Sequence, residues 1–255
     1  MLFWIAIILG IIQGFTEFLP ISSSGHLVIL EDIFGVDMDF TFLNVLLHIA
    51  TLIAVVYYYR KKILYLITHP LCTMNKYLLV ATVPAIIFVL CFGSIFTQYM
   101  SSTLFVGIGF LITAILLSFA QVMAKKNKVP DMLNYKNVLV MGVGQAFAVF
   151  PGLSRSGTTL SVGLIIGTEK QSALDFSFLM SIPIILASIV YELIFSDIWV
   201  SAIDFDWWAI IIACISALFT ALLGIYLMQK VIRKINLWYF VGYLVIIGLL
   251  VIILL

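Results

Sequence analysis

Two matching breaks in otherwise apolar sequence decide the fold of this chain, and they read Gln13-Gly-Phe-Thr-Glu17-Phe-Leu-Pro20-Ile-Ser22-Ser23-Ser24-Gly25-His26 and Gln145-Ala-Phe-Ala-Val-Phe-Pro151-Gly152-Leu-Ser154-Arg155-Ser156-Gly157-Thr158-Thr159. A shift of 132 positions, the separation of Gln13 from Gln145, places the first break on the second. Gln13, Ser22, Ser24 and Gly25 fall on identical residues under this shift, whereas Ser23 falls on Arg155 and Glu17 on Val149. The pattern indicates a duplication whose two copies have acquired different functions.

The composition is that of a membrane protein. Of the 255 residues, 64% are hydrophobic and only 10% are charged, against about 45–50% and about 25% in soluble domains. Apolar runs of about 20 residues, the length that crosses a bilayer as a helix, recur along the chain. They predict six spans, at 42–59, 77–96, 103–124, 174–195, 207–228 and 238–255.

The charged loops predict the orientation of these spans. Basic loops at 60–76, 125–136 and 230–234 are expected in the cytoplasm, and acidic loops at 31–39 and 197–206 outside. Every lysine and arginine except Arg155 then lies on the inner side.

With that orientation the two breaks enter the membrane from opposite faces. The predicted fold is an all-α integral membrane protein, an inverted-topology repeat with six transmembrane helices and two re-entrant helical hairpins. Its single membrane domain, 1–255, would consist of repeat 1 at 1–124 and repeat 2 at 133–255.

The breaks are the expected place of the chemistry. Irregular backbone at membrane depth is tolerated only where protein or a wet cavity covers it, so matched breaks indicate a buried site between the repeats. Each break ends in Ser-X-Ser-Gly before a new helix, whose free N–H groups favour an anion. The guanidinium of Arg155 suits phosphate oxygens, and hydroxyl groups beside it would add donors.

The first break carries the residues that turn binding into chemistry. Gln13 and Glu17 are four residues apart and share one helix face, and His26 follows Ser23 by three. A carboxylate beside a phosphate repels it unless the carboxylate holds a cation or takes a proton. Glutamate, serine, histidine and arginine together suit phosphoryl transfer. His48, within a span, is interpreted as structural.

The segments Glu17-Phe-Leu-Pro-Ile-Ser-Ser-Ser-Gly-His26 and Pro151-Gly-Leu-Ser-Arg-Ser-Gly-Thr158 resemble the two signature motifs of the undecaprenyl-diphosphatase family of the bacitracin-resistance type. The resemblance extends over essentially the whole chain, including Asp175-Phe-Ser-Phe-Leu. It implies hydrolysis of undecaprenyl diphosphate to the monophosphate carrier of cell-wall synthesis. It also implies a divalent cation, Mg²⁺ or Ca²⁺, and a multi-pass protein of the bacterial plasma membrane whose active site opens to the outer face.

The resemblance assigns roles residue by residue. The implied catalytic residues are Glu17, Ser23, His26 and Arg155, with Glu17 also the metal ligand. Gln13 stands where many members carry a glutamate. The motif leaves open whether Ser23 or His26 attacks phosphorus, and we favour Ser23 with His26 as its base. The expected substrate-binding residues are Gln13, Ser22, Ser24, Ser154, Ser156, Gly157, Thr158 and Thr159, among which Ser22 and Ser24 suit helix caps equally well.

Two other functions fit parts of the pattern. A secondary transporter or flippase of an anionic or lipid-phosphate substrate would use the same inverted repeat, but it has no evident use for Glu17 and His26 in one repeat only. A member of the family that acts on another lipid phosphate is the third interpretation. The expected partners are a polyprenyl diphosphate lipid, the bilayer and a second copy in a homodimer, with no nucleic acid.

Overall fold

The structure, a computed structural model, describes residues 2–35, 39–99, 102–126, 132–195, 206–234 and 236–254. These residues contain eleven helices. They are α1 (Leu2–Phe18), α2 (Ser23–Phe34), α3 (Thr41–Tyr58), α4 (Arg60–Thr68), α5 (Thr73–Tyr99), α6 (Thr103–Lys126), α7 (Tyr135–Phe147), α8 (Arg155–Ile165), α9 (Lys170–Phe195), α10 (Trp207–Lys234) and α11 (Trp238–Leu254). The predicted all-α class is confirmed.

Five of the described helices, α3, α5, α6, α9 and α10, are long and apolar enough to cross a membrane. The chain is therefore a multi-pass membrane protein. The sixth expected span, at 238–255, forms the shorter apolar helix α11 of 17 residues, which at 1.5 Å per residue is about 26 Å long.

Serine caps start the helix that follows each break. The Ser22 hydroxyl accepts a hydrogen bond from the Gly25 N–H, and α2 begins at Ser23. The Ser154 hydroxyl accepts from the Gly157 N–H in the same way and starts α8. Gly35, in the left-handed conformation at φ 58°, ends α2.

The helix that precedes each break, α1 or α7, packs closely against a membrane-spanning helix. The residues in these two contacts correspond under the shift of 132 positions. Where α1 crosses α10, a Cβ added to Gly10 would lie 2.3 Å from the Ala213 carbonyl oxygen. Where α7 crosses α5, a Cβ on Gly142 would lie 2.6 Å from the Ala81 carbonyl oxygen. Small residues let helices approach this closely in membranes. Under the shift of 132 positions, Gly10 corresponds to Gly142 and Ala81 corresponds to Ala213.

The second break is held against α6. Gly152 has φ 77°, a left-handed conformation that favours glycine. A Cβ there would lie 2.2 Å from the Val106 carbonyl oxygen. A Cβ on Gly109, one turn further along α6, would lie 2.5 Å from the Pro151 carbonyl oxygen. Two glycines therefore let the irregular backbone lie directly on α6, which positions the start of α8.

Candidate active site

The two breaks touch each other. The Ser156 hydroxyl, in the first turn of α8, donates a hydrogen bond to the Leu19 carbonyl oxygen at 2.9 Å. A Cβ on Gly25 would lie 3.0 Å from the Gly152 Cα. The sequence expectation that the breaks form one buried site is therefore met in these contacts.

The carboxylate of Glu17 is the centre of this site. The residue is only 5% exposed. One carboxylate oxygen, Oε2, accepts from the Ser23 hydroxyl at 2.5 Å and from the Gln13 Nε2 at 3.0 Å. The other, Oε1, forms an ion pair with the Arg155 guanidinium. A buried charge needs such a partner and further hydrogen bonds to offset its desolvation, and here the partner comes from the other break.

His48 of α3 is a fourth side chain at this carboxylate. Its Nε2 lies 4.0 Å from Glu17 Oε2. Its Nδ1 donates to the Asn44 carbonyl oxygen at 2.7 Å, so Nε2 is the ring atom left to face the site. The sequence interpretation as a structural residue missed this approach. The available signal was an ionisable residue within a span, which is usually functional.

The helix turn that carries His48 is tied to α2. The Asn44 side-chain amide donates to Glu31 Oε1 at 2.9 Å. Burial raises the pKa of Glu31, an effect that the hydrogen bond from Asn44 opposes.

Neither ring nitrogen of His26 is hydrogen-bonded to the Ser23 hydroxyl, so the structure does not form the expected pair of nucleophile and base. Its Nδ1 donates to the Ser22 carbonyl oxygen at 2.6 Å. Its Nε2 is 2.6 Å from the hydroxyl of Tyr243 on α11, whose ring stacks on the imidazole. Both ring nitrogens are therefore engaged elsewhere. Glu17 is the group that receives the Ser23 hydrogen.

The serines of the two breaks have matching arrangements. Ser22 and Ser24 hydroxyls are 3.4 Å apart, and Ser154 and Ser156 hydroxyls 3.3 Å. Ser22 and Ser154 are the N-caps of α2 and α8. The sequence had left open whether Ser22 is a cap or a substrate ligand. Ser22 also holds φ 68°, a conformation that costs a non-glycine residue about 1–3 kcal/mol and is found mainly at functional sites.

The remaining predicted substrate ligands differ in what they contact. The Thr159 hydroxyl donates to the Arg155 carbonyl oxygen at 2.9 Å and is 2.6 Å from the Ser177 hydroxyl, so it joins α8 to α9. The Gly157 N–H donates its hydrogen bond to the Ser154 hydroxyl. The Thr158 hydroxyl is buried and has no hydrogen-bond partner among the described residues.

The oxygen atoms around Glu17 suit a hard divalent cation. Besides the carboxylate, the Gln13 Oε1 is buried and has no hydrogen-bond partner in the described part of the chain. Mg²⁺ is commonly bound by one or two protein oxygens together with substrate phosphates. Within the described ranges no three His, Cys, Asp or Glu side chains are grouped to hold a metal by themselves. The residues therefore fit a cation that the substrate helps to bind.

Comparison with known proteins identifies the family. The sequence model of the family described as "Bacitracin resistance protein BacA" matches residues 6–250. The chain belongs to this family. Among its curated relatives, "Undecaprenyl-diphosphatase 4" of Bacillus thuringiensis (strain Al Hakam) is 36% identical over 248 residues, covering 97% of this chain and 95% of the relative. "Undecaprenyl-diphosphatase" of Methanococcus maripaludis (strain C6) is 38% identical over 232 residues, 89% of this chain and 90% of the relative.

A third curated relative is also named as an undecaprenyl-diphosphatase. "Undecaprenyl-diphosphatase 1" of Pseudoalteromonas translucida is 35% identical over 256 residues, covering 95% of this chain and 94% of that protein. The family match over residues 6–250 includes both breaks. The resemblance seen in the motifs is thereby confirmed for the chain as a whole.

Proposed function

We propose that this BacA-family protein hydrolyses undecaprenyl diphosphate to undecaprenyl phosphate and inorganic phosphate, and so recycles the lipid carrier for cell-wall synthesis. The observation that carries the proposal is the meeting of Ser23, Glu17 and Arg155 between the two breaks. Three full-length relatives are named for the same activity. The chain is accordingly an enzyme, a phosphoric anhydride hydrolase.

In the proposed reaction Ser23 is the nucleophile and Glu17 its general base. The Ser23 oxygen attacks the terminal phosphorus while its proton passes to Glu17 Oε2, the atom 2.5 Å away. The bond from that phosphorus to the bridging oxygen breaks, and its electron pair leaves with undecaprenyl phosphate. Glu17 passes the proton on to the departing undecaprenyl phosphate. Water then attacks the phosphoserine and gives one proton to Glu17, the bond between phosphorus and the Ser23 oxygen breaks, and that oxygen takes the proton back as inorganic phosphate is released.

Arg155 neutralises charge in this scheme. Its guanidinium pairs with Glu17 and would turn its remaining donors to the equatorial oxygens of the transferred phosphoryl group. The exposed Ser24, and the Thr158 hydroxyl, which has no partner among the described residues, would add donors to the diphosphate. His26 would position the serine turn through the Ser22 carbonyl oxygen instead of acting as the base.

We further propose that the reaction requires Mg²⁺ or Ca²⁺, with Glu17 and Gln13 as the protein ligands. A cation at these oxygens would supply charge neutralisation for the diphosphate. The buried Gln13 Oε1, which lacks a partner among the described residues, supports this assignment. The substitution of glutamine for the more usual glutamate would weaken the binding of the cation while keeping an oxygen ligand.

The proposed architecture is the inverted repeat of 1–124 and 133–255, with each break forming a re-entrant hairpin. The contacts of Gly10 with Ala213 and of Gly142 with Ala81 support it, because the two pairs exchange under the shift that relates the breaks. The positive-inside rule would then open the site to the outer face. Light scattering of the detergent-solubilised protein would test for a homodimer.

The sidedness can be tested by labelling. In a variant whose three native cysteines are replaced by serine, Asp32→Cys at the exposed end of α2 should react with an impermeant maleimide added to intact cells. Labelling only after the cytoplasmic side is opened would contradict the proposed orientation.

The activity is tested by phosphate release from undecaprenyl diphosphate in detergent, with and without EDTA. Glu17→Ala and Arg155→Ala should each lower kcat by about 10²–10⁴-fold, the range for loss of a general base or a charge-stabilising donor. Wild-type protein that binds the lipid through Arg155 but releases no phosphate would favour the carrier function instead.

A further inference from the structure

Ser177 and Thr159 form a buried pair of hydroxyl groups between α9 and α8. Ser177 Oγ lies 2.6 Å from Thr159 Oγ1, and neither residue is more than 1% exposed. The Thr159 hydroxyl donates to the Arg155 carbonyl oxygen at 2.9 Å. Because a hydroxyl group has only one hydrogen, Ser177 is the donor to Thr159. Two hydrogen bonds in series therefore connect α9 to the backbone of Arg155.

The hydrogen bond of Ser177 differs from those of two other serines on α9. The hydroxyls of Ser181 and Ser188 each donate to a carbonyl oxygen of α9 itself, three residues earlier. Such bonds satisfy the hydroxyl group within its own helix. The Ser177 hydroxyl bonds to α8 instead, so it fixes the position of one helix relative to the other.

The segment Asp175-Phe-Ser-Phe-Leu carries Ser177, and its opposite face is attached to other helices. Asp175 Oδ1 accepts a hydrogen bond at 2.8 Å from the hydroxyl of Tyr59, which directly follows α3. Phe178 lies three positions after Asp175 and therefore on the same helix face. Its ring packs edge-to-face on Phe18 of α1, with 5.4 Å between the centroids. Since α9 is held against α1 and α3 in this way, Ser177 gives α8 a fixed attachment point.

Arg155, which this connection reaches, is the first residue of α8. The first turn of a helix lacks intrahelical partners for its N–H groups, and helix ends fray. The Arg155 side chain is 17% exposed and extends from this turn to its ion pair with Glu17. The position of the turn therefore decides the position of the guanidinium.

We propose that Ser177 is a positioning residue, which acts through Thr159 to hold Arg155 where its guanidinium meets the transferred phosphoryl group. The inference rests on the proposed function. A catalytic group displaced by about 1 Å can cost about 10²-fold in rate. The first turn of α8 keeps a second attachment, the hydrogen bond from Ser156 to the Leu19 carbonyl oxygen, so the loss without Ser177 should be smaller than this.

Phosphate release by two serine variants tests the proposal. Ser177→Ala should lower kcat about tenfold and leave KM within about twofold of wild type, because it weakens an interaction made in the transition state. Ser181→Ala makes the same change at a residue of α9 that is 0% exposed, and it should leave kcat within about twofold. Each variant loses one buried hydrogen bond, so their Tm values should be similar. Equal kcat values for the two variants would overturn the inference.

Combination with Arg155→Ala tests whether Ser177 acts through the arginine. In this background Ser177→Ala should lower kcat no further, since no guanidinium remains to be positioned. A further loss of about tenfold would indicate general damage to the site and contradict the inference. Thr159→Val should reproduce the effect of Ser177→Ala, whereas Thr159→Ser, which keeps the hydroxyl group, should recover most of the rate.

The reactivity of Arg155 with phenylglyoxal tests the position of the guanidinium without turnover. Mass spectrometry would give the rate of modification at Arg155 relative to that at the exposed Arg60. Ser177→Ala should raise this ratio about threefold, because a loosened turn opens more often, and Ser181→Ala should leave it unchanged. Equal ratios in the two variants would also overturn the inference. A wild-type protein without phosphate release would refute the phosphatase instead, and the reactivity of Arg155 would still decide whether Ser177 positions it.

Discussion

His48 Nε2 on α3 lies 4.0 Å from Glu17 Oε2 on α1, the oxygen that also accepts the Ser23 hydrogen. A third helix thus reaches the carboxylate that links the two breaks. The ring cannot turn freely, because its Nδ1 donates to the Asn44 carbonyl oxygen at 2.7 Å. We infer from this approach that His48 helps to position Glu17.

Removing this ring should slow the enzyme without unfolding it. His48→Ala is expected to lower kcat about tenfold, because a misplaced catalytic group loses rate steeply, and to change KM little. His48→Gln, whose amide can donate to the carboxylate, should recover part of the loss. His69→Ala, at an exposed histidine outside the site, is the matched control. If His48→Ala released phosphate at the wild-type rate, His48 would have no role in positioning Glu17.

The hydroxyl of Tyr243 should matter through His26. Tyr243→Phe keeps the ring that stacks on His26 at 5.7 Å between centroids, but removes the hydroxyl 2.6 Å from Nε2. A lost buried hydrogen bond is worth about 1 kcal/mol, so kcat/KM should fall about fivefold. Tyr239→Phe, at a 76% exposed tyrosine of the same helix, should leave it unchanged. Equal kinetics for the two variants would show that this hydrogen bond has no effect on catalysis.

A glutamate at position 13 should increase the affinity for the cation. In Gln13→Glu a second carboxylate would lie one helical turn from Glu17, so the Mg²⁺ concentration for half-maximal phosphate release should fall about tenfold. Without the cation the two like charges should lower thermal stability. Gln145→Glu is the control from the other repeat, where burial without any partner among the described residues predicts destabilisation alone. An unchanged Mg²⁺ requirement in Gln13→Glu would argue against Gln13 and Glu17 as ligands.

The features that sequence predicted well depend on local physics. Hydropathy placed the span at 42–59, which the structure gives as Thr41–Tyr58. Proline and serine in the breaks predicted where α1 ends and α8 begins. The ion pair of Glu17 with Arg155 was not predicted, although an arginine at membrane depth needs a countercharge.

What sequence missed depends on helix packing. His26 and Tyr243 are 217 positions apart, and no spacing rule connects them. The predicted use of His26 as base assumed that proximity to Ser23 along the chain would bring the side chains together. In the structure the helical turn from Ser22 directs the imidazole toward α11 instead. His48 likewise reaches Glu17 only because α3 packs beside α1.

Replacing Gly152 should be costly for stability. Alanine there would hold φ near 77°, and its Cβ would lie 2.2 Å from the Val106 carbonyl oxygen. The left-handed conformation costs about 1–2 kcal/mol and overpacking about 1–3 kcal/mol, so Gly152→Ala should lower the Tm of the detergent-solubilised protein by roughly 10 °C. The second break would also move away from α6, and with it Arg155, so phosphate release should fall at temperatures where the protein is still folded.

Gly242→Ala is the matched control for this substitution. Gly242 lies in the interior of α11, and a Cβ there meets nothing within 4 Å. Alanine is a better helix former than glycine by about 1 kcal/mol, so the Tm should stay the same or rise slightly, and phosphate release should not change. A Gly152→Ala protein as stable and as active as Gly242→Ala would mean that the second break does not need its left-handed glycine or its close seat on α6.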